Sequence, residues 1–337
     1  MTPNSLLDAW ESLGREEAQT SGIQRLRLST EAAADLFACV FWPTGHPGLL
    51  VEGEGAYRPA GSRIPACRGI RMVNEVVTGT SERTVLRIVL EDDRLLDIFA
   101  VLSADLIDTV STKTTAGAAM RHCIDRLCLW QSLFERVAVE GLTEEQQRGM
   151  LGELLILETL MIPQLDALTA VNTWVGPDPA NQDFVHEGTA IEVKTSLSKR
   201  HSRISIANEK QLDERPYHAL ILAHLRFDES AVLGTSLPQV VSRLRTALAF
   251  DPAASRQFDE RLMLGGYLDV HARLYLPHRW RLSSTRHFKV EGEFPRLTEA
   301  NLPPGVGDIG YSIIADDLSS FEISAETAAA FLVTGNG

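Results

Sequence analysis

The chain is short of several things at once, and each shortage closes off a class of protein. Among 337 residues there are four cysteines, Cys39, Cys67, Cys123 and Cys128, and none stands in C-x-x-C spacing. The sequence therefore offers no disulfide framework and no thiolate zinc module, and the simplest reading is reduced thiols in a cytosolic protein. Apolar runs such as 154–156 and 220–223 fall far short of the roughly 20 residues a membrane helix needs. No basic segment followed by an apolar one opens the chain, so no secretory signal is expected. These shortages predict a soluble cytoplasmic protein. Nine histidines show no H-E-x-x-H spacing, and Gly265–Gly266 lacks the Lys-Ser/Thr of a phosphate-cradling loop, so neither a zincin nor a nucleotide-driven motor is expected. Lysine is scarce as well. Only five of 32 basic residues are lysines, and three of them, Lys194, Lys199 and Lys210, lie close together; codon usage is the simple explanation of so few.

What remains is ordinary globular material. Hydrophobic residues make up 44% and charged residues 23%, enough for a sizeable core, and the length suits two domains or one large decorated one. The net charge of −13 argues against a nonspecific nucleic-acid coat protein. It leaves room for a local basic groove, because attraction to phosphate depends on clustering.

Periodicity predicts a mixed α+β organisation. A helix capped by Ser5, with Leu6, Leu7, Trp10 and Leu13 on one face, precedes an alternating strand over 23–28. A helix is expected over 31–41, loop over 43–68, strands over 70–77 and 84–90, and helices over 95–110 and 118–139. At Thr143 the register restarts with a capping box closed by Gln146, opening a helix to about Met161. Strands are expected over 171–175, 182–186, 189–195, 204–206 and 218–225. A helix capped by Asn208 is expected over 209–214, ended by Pro216. Helices over 238–250 and 251–264, strands near 284–290 and 310–315, and a helix over 325–333 complete the chain. The implied division is an N-terminal α+β domain over 1–140 for recognition or partner binding, a core over 141–230, and a C-terminal extension over 231–337 packed on that core.

One segment carries chemistry. In Thr189–Thr195 side chains alternate, so Ile191, Val193 and Thr195 share one face and Glu192 and Lys194 the other. The apolar face can pack on a helix, which leaves a carboxylate and an ammonium side by side. A tight turn at Glu187–Gly188 would bring Asp183 of the preceding strand towards them. Two carboxylates and a backbone carbonyl, here that of Val193, make the hard oxygen site that Mg²⁺ prefers, with Mn²⁺ able to substitute. A lysine beside it can activate a water and stabilise charge on a phosphorane-like transition state.

These residues resemble the PD-(D/E)XK nuclease superfamily, and more narrowly a bacterial family of PD-(D/E)XK-motif proteins associated with restriction and phage-defence loci. The resemblance rests on Gly152-Glu153-Leu154-Leu155, Trp174-Val175-Gly176, Asp183-Phe184, Glu192-Val193-Lys194-Thr195 and Gln211-Leu212. It is strongest over 143–225 and extends to the N-terminal half through 87–110 and 126–134. It implies a restriction-endonuclease-like mixed sheet flanked by helices, acting on DNA phosphodiesters. Asp183 and Glu192 would then ligate the metal, and Lys194 would serve the attacking water. Glu153 would enter from the first helix, and Gln211 would face the site from the second. The family's surroundings imply an ATPase or helicase among the partners, and cutting both strands of a duplex would favour a homodimer.

Alternatives stay open. Pro177-Asp178 spells the literal Pro-Asp of the motif, although Asp in a Gly/Pro-rich turn is common for backbone capping alone. Lys199, Arg200, His201 and Arg203 follow the motif strand, where they could touch a DNA backbone or form an ordinary solvated loop. Arg279, Arg281, Arg286, His287 and Lys289 surround Trp280 and could extend such a groove or hold a partner protein. A noncatalytic adaptor that keeps the fold is the rival function. It would show Lys194 salt-bridged in an occluded cleft.

Overall fold

The structure, a computed structural model, describes residues 1–15, 20–29, 32–55, 57, 67–78, 82–136, 141–178, 180–198 and 203–333. The chain divides into two compact units, Met1–Glu140 and Gly141–Gly337.

In the first unit, helix α1 (Pro3–Arg15) precedes five antiparallel strands, β1 (Gly22–Ser29), β2 (Asp35–Trp42), β3 (His46–Glu54), β4 (Ile70–Thr78) and β5 (Glu82–Leu90), and then α2 (Leu96–Ser111) and α3 (Ala116–Arg136). The sheet order is β1-β2-β3-β5-β4. Trp10 of α1 stacks on Phe99 of α2 at 5.2 Å between ring centroids. Asp105 of α2 accepts from Trp130 Nε1 of α3 at 2.8 Å and takes Arg126 in a fork.

Two expectations fail here for one reason. Of the helix expected over 31–41, residue 31 lies outside the described residues and 35–41 belong to strand β2, and the loop expected over 43–68 contains β3. Leu36, Ala38 and Val40 alternate with Phe37, Cys39 and Phe41, and β1 and β3 hydrogen-bond along both edges of β2. Long-range pairing of a period-two segment outweighs local helix preference. The expected cap also moves: Ser5 lies inside α1, and its N–H donates to Thr2 Oγ1.

The second unit opens with α4 (Glu144–Ile156), whose Thr143–Gln146 capping box is formed on both sides. A π-turn over Leu157–Met161 continues it. Next come α5 (Ala167–Thr173), β6 (Phe184–His186), β7 (Thr189–Leu197), β8 (Arg203–Ile206) and β9 (Ala219–Glu229). Helices α6 (Leu237–Leu248), α7 (Pro252–Leu264) and α8 (Ala272–Tyr275) follow, then β10 (Trp280–Lys289), β11 (Tyr311–Ile314), β12 (Glu322–Ile323) and α9 (Ala325–Val333). The main sheet has the order β12-β10-β9-β7-β6, while β8 pairs with β11 apart from it. Strands β7 and β9 run parallel and the other neighbours antiparallel, so this is a mixed sheet flanked by helices. Residues after 230 supply two of its five strands.

The sheet buries both faces. Ile191, Val193, Ile221 and Ala223 pack with Leu151 and Leu154 of α4 in one cluster, whereas Ala190, Leu220, Leu222 and Phe288 pack with Ile204, Ile206 and Ile313 in another. Two further expectations are corrected. Residues 171–175 do not form a strand: Asp166 Oδ1 caps α5 through Thr169 N–H, and only Trp174 makes a bridge, to Phe184. No helix forms over 209–214, where Asn208 and Asp213 accept from the backbone two residues on, at Lys210 and Arg215, and so compete with helical bonding.

Candidate active site

The candidate site is built where β6 stops pairing with β7. Glu187 (φ 43°) and Gly188 (φ 83°) both sit in the left-handed region, which gives the two-residue turn suited to a tight hairpin. The turn sets the register Phe184↔Ile191. Beyond Ile191, no described strand continues along this edge of β7. Asp183 occupies the position instead: its Oδ2 accepts from Val193 N–H at 2.7 Å, and its backbone carbonyl accepts from Val175 and Gly176. Backbone N–H and C=O of one strand residue leave on the same edge, so the Val193 carbonyl faces the Asp183 side.

Helix α4 reaches this edge because Gly152 lets it. A Cβ on Gly152 would collide with Thr195 Cγ2 of β7. The next residue, Glu153, points to the fork, where its Oε2 accepts from Trp174 Nε1 at 2.7 Å. Gly176 leaves a gap between two carboxylates: a Cβ there would stand 2.9 Å from Asp183 Oδ1 and 2.9 Å from Glu153 Oε2. A cleft of about 230 Å³ lined by Gln146, Gly149, Met150, Glu153, Gly176 and Pro177 opens beside it.

Glu192 is buried on the opposite sheet face, with its side chain 1% exposed, and Lys194 Nζ lies 2.6 Å from its Oε1. That contact is an ion pair of poor angle, since neither Glu192 oxygen has a well-formed hydrogen bond. Three carboxyls thus share one ammonium. Burial pushes the Glu153 carboxyl up to about 8, with the Asp183 charge adding to it and Trp174 and Lys194 opposing. Burial also raises Asp183, against the pull of Lys194 and the Val193 N–H. Glu192 is driven well above the ordinary carboxylate range by burial and then by the Asp183 charge. Burial would lower Lys194, but Glu192 and Asp183 outweigh it and hold the ammonium above its ordinary value. Three buried acidic groups thus surround a single ammonium, and burial favours their protonated forms.

The structure therefore brings together Glu153, Asp183, Glu192, Val193 and Lys194. It does not bring Asp178 to them, because that carboxylate pairs with Arg261 of α7. Gln211 departs from expectation: it lies in a turn, and its Oε1 accepts from Ala207 N–H at 2.8 Å. Arg203 is exposed on β8, while Lys199, Arg200 and His201 lie outside the described residues. The basic cluster around Trp280 is dispersed into ion pairs, Arg281 with Asp228, Arg286 with Glu322 and Lys289 with Glu291. Sequence reasoning missed His224 of β9, the parallel partner of Lys194. Its Nε2 shares a 2.8 Å hydrogen bond with Ser196 Oγ. No local signal marks it, since the pairing joins residues 30 apart.

The donor set fits a hard divalent cation, because Glu192 keeps a buried Oε2 without a hydrogen-bond partner and carboxylates with a carbonyl are the ligands such ions take. Among the described residues no three His, Cys, Asp or Glu side chains are already drawn into a metal cluster. Glu192 meets Lys194 instead.

A mixed sheet with this carboxylate and lysine arrangement at a forked strand edge defines a PD-(D/E)XK-type fold. Residues 6–316 match the model of the family described as "Putative PD-(D/E)XK family member, (DUF4420)", and the chain belongs to that family. No curated protein and no solved structure matches the chain. The family brings with it a nuclease-type fold. No helix among the described residues is long and apolar enough to cross a membrane.

Proposed function

We propose that the chain is a divalent-cation-dependent nuclease that hydrolyses DNA phosphodiester bonds. The observation that carries the reading is the burial of Glu192, its side chain 1% exposed, with the Lys194 ammonium 2.6 Å from Oε1 and Asp183 across a strand edge bound to Val193 N–H. Buried carboxyls of one sign are costly unless a proton or cation offsets them. Asp183, Glu192 and the Val193 carbonyl would hold the ion, and Mg²⁺ or Mn²⁺ would supply Lewis acidity and offset charge on the phosphate. Lys194 Nζ would orient the attacking water and stabilise charge on the phosphoryl oxygens. Glu153, fixed by Trp174, would complete the charge around the cleft. Arg203, with Lys199 and Arg200, would touch the DNA backbone.

The chain's acidity and its lack of a phosphate-cradling loop support targeting by partner subunits, an ATPase or helicase of a restriction or anti-phage system among them. The pairing of Lys194 with Glu192 favours a second reading, a noncatalytic adaptor that keeps the fold. One experiment separates the two. Plasmid, linear and single-stranded DNA, with RNA alongside, are incubated with the purified chain and Mg²⁺ or Mn²⁺, beside Lys194→Ala and Asp183→Ala. Cation-dependent cleavage that Lys194→Ala abolishes, with folding and DNA affinity kept, is the expected result. Asp183→Ala should lose Mn²⁺ binding as well. Intact Mn²⁺ binding in Asp183→Ala, together with silence of the parent chain even with partners restored, would leave the adaptor.

A further inference from the structure

The face of the main sheet that carries Glu192 and Lys194 continues beyond them. Along β7 the next residue on this face is Ser196, and β9 sets His224 beside Lys194 and Arg226 beside Ser196. On β10, Arg286 stands opposite His224 and Ser284 opposite Arg226. Most of these groups are already committed. Lys194 is held by Glu192, and Arg286 is spent on Glu322, the Ala315 carbonyl and the Phe288 ring. Ser196 and His224 hold each other. The nearby Asp228 is taken by Arg281 at 2.8 Å.

Arg226 differs. Its Nε is buried without a hydrogen-bond partner, and among the described residues no ion pair or side-chain hydrogen bond includes it. The neighbouring His224 offers no compensation, because burial and then the charge of Arg226 hold it neutral, down to about 4. Asp228, two residues along the same strand, feels the Arg226 charge but is hydrogen-bonded to Arg281, so the Arg226 guanidinium makes no fork of its own on the face of the candidate site, and the group such a fork matches is a phosphate.

We infer that Arg226 is a positioning residue that grips a backbone phosphate of the nucleic acid about one nucleotide step from the bond held at Lys194. Two residues along a strand span about 6.6 Å, which is the order of such a step. Ser196 and His224 form the neutral spacer between the two cations, and the one carboxylate near Arg226 on this face, Asp228, is bound to Arg281. This rests on the nuclease reading for the identity of the ligand.

The test measures binding separately from cutting. In the full chain carrying Lys194→Ala, equilibrium binding of a fluorescent single-stranded oligonucleotide is followed by anisotropy across a salt series. Adding Arg226→Gln should weaken binding about tenfold and reduce the slope of log affinity against log salt by about 0.7, the loss expected for one phosphate contact on a single strand. Arg226→Lys should recover much of both. An unchanged slope in Arg226→Gln, whether or not affinity falls, would overturn the inference, because a merely structural arginine leaves the slope alone. A parent chain that binds no oligonucleotide would overturn it too. If binding shows the Arg226-dependent slope while the chain with Lys194 intact cuts nothing even with partners restored, the phosphate contact stands and the nuclease reading fails.

Discussion

Both oxygens of Glu192 are buried with no good hydrogen bond, and the residues around it set what single substitutions should do. Gly176 has no positive φ to protect, so alanine fits its backbone, yet a Cβ would enter the gap between Asp183 Oδ1 and Glu153 Oε2. We expect Gly176→Ala to weaken Mn²⁺ binding about tenfold, roughly 1.4 kcal/mol, read by calorimetry with the fold checked by circular dichroism. His224 gives a pH signature. Its folded value is lowered to about 4 from 6.5, so between these values the unfolded chain binds the proton and the folded chain does not. The contribution is fully present above about pH 6.5 and is lost as pH falls towards 4. The shift corresponds to about 3 kcal/mol at most. Urea midpoints of the parent should therefore fall over this window, and those of His224→Gln should fall less.

At the scale of elements, α4 and β7 touch closely through Gly152 and Thr195. A side chain at Gly152 forces the helix away and carries Glu153 off Trp174. Gly152→Val should cost about 1–3 kcal/mol of stability, the range for overpacking a close contact. Relief in the double variant Gly152→Val, Thr195→Ser, read in the melting temperature, would locate the clash. The cap at Thr143 is a separate matter, since both of its hydrogen bonds serve α4 alone. Thr143→Ala should cost about 1 kcal/mol without changing cation binding. The contrast between these two sites separates support of the helix from placement of its glutamate.

At the scale of the whole molecule, the two units have different sheets and separate cores. Gly141–Gly337 contains the mixed sheet, both of its buried clusters and the candidate site. A fragment of residues 141–337 is expected to unfold cooperatively and to bind Mn²⁺ with the affinity of the full chain, as measured by thermal melting with and without the ion. An unfolded fragment would mean that the first unit contributes to the stability of the second.

Local pattern in the sequence determined much of this protein. The capping box at Thr143, the period-two alternation of Thr189–Thr195, the two-residue turn at Glu187–Gly188 and the helices α6 and α7 depend on neighbours within a few residues, and each was readable. So was the gathering of Asp183 and Val193, because one hairpin register relates them. Tertiary structure decided what depends on distant partners. Residues 35–41 became a strand only because β1 and β3 bind both edges of β2. Gln211 turned into its own loop because Asn208 and Asp213 took the backbone bonds a helix needs. Asp178 was drawn to Arg261, 83 residues away. His224 and Arg226 came beside Lys194 and Ser196 through a parallel pairing that no short-range period encodes. Side-chain alternation is a property of one strand, whereas which strand lies next to it is settled by the burial of the whole sheet.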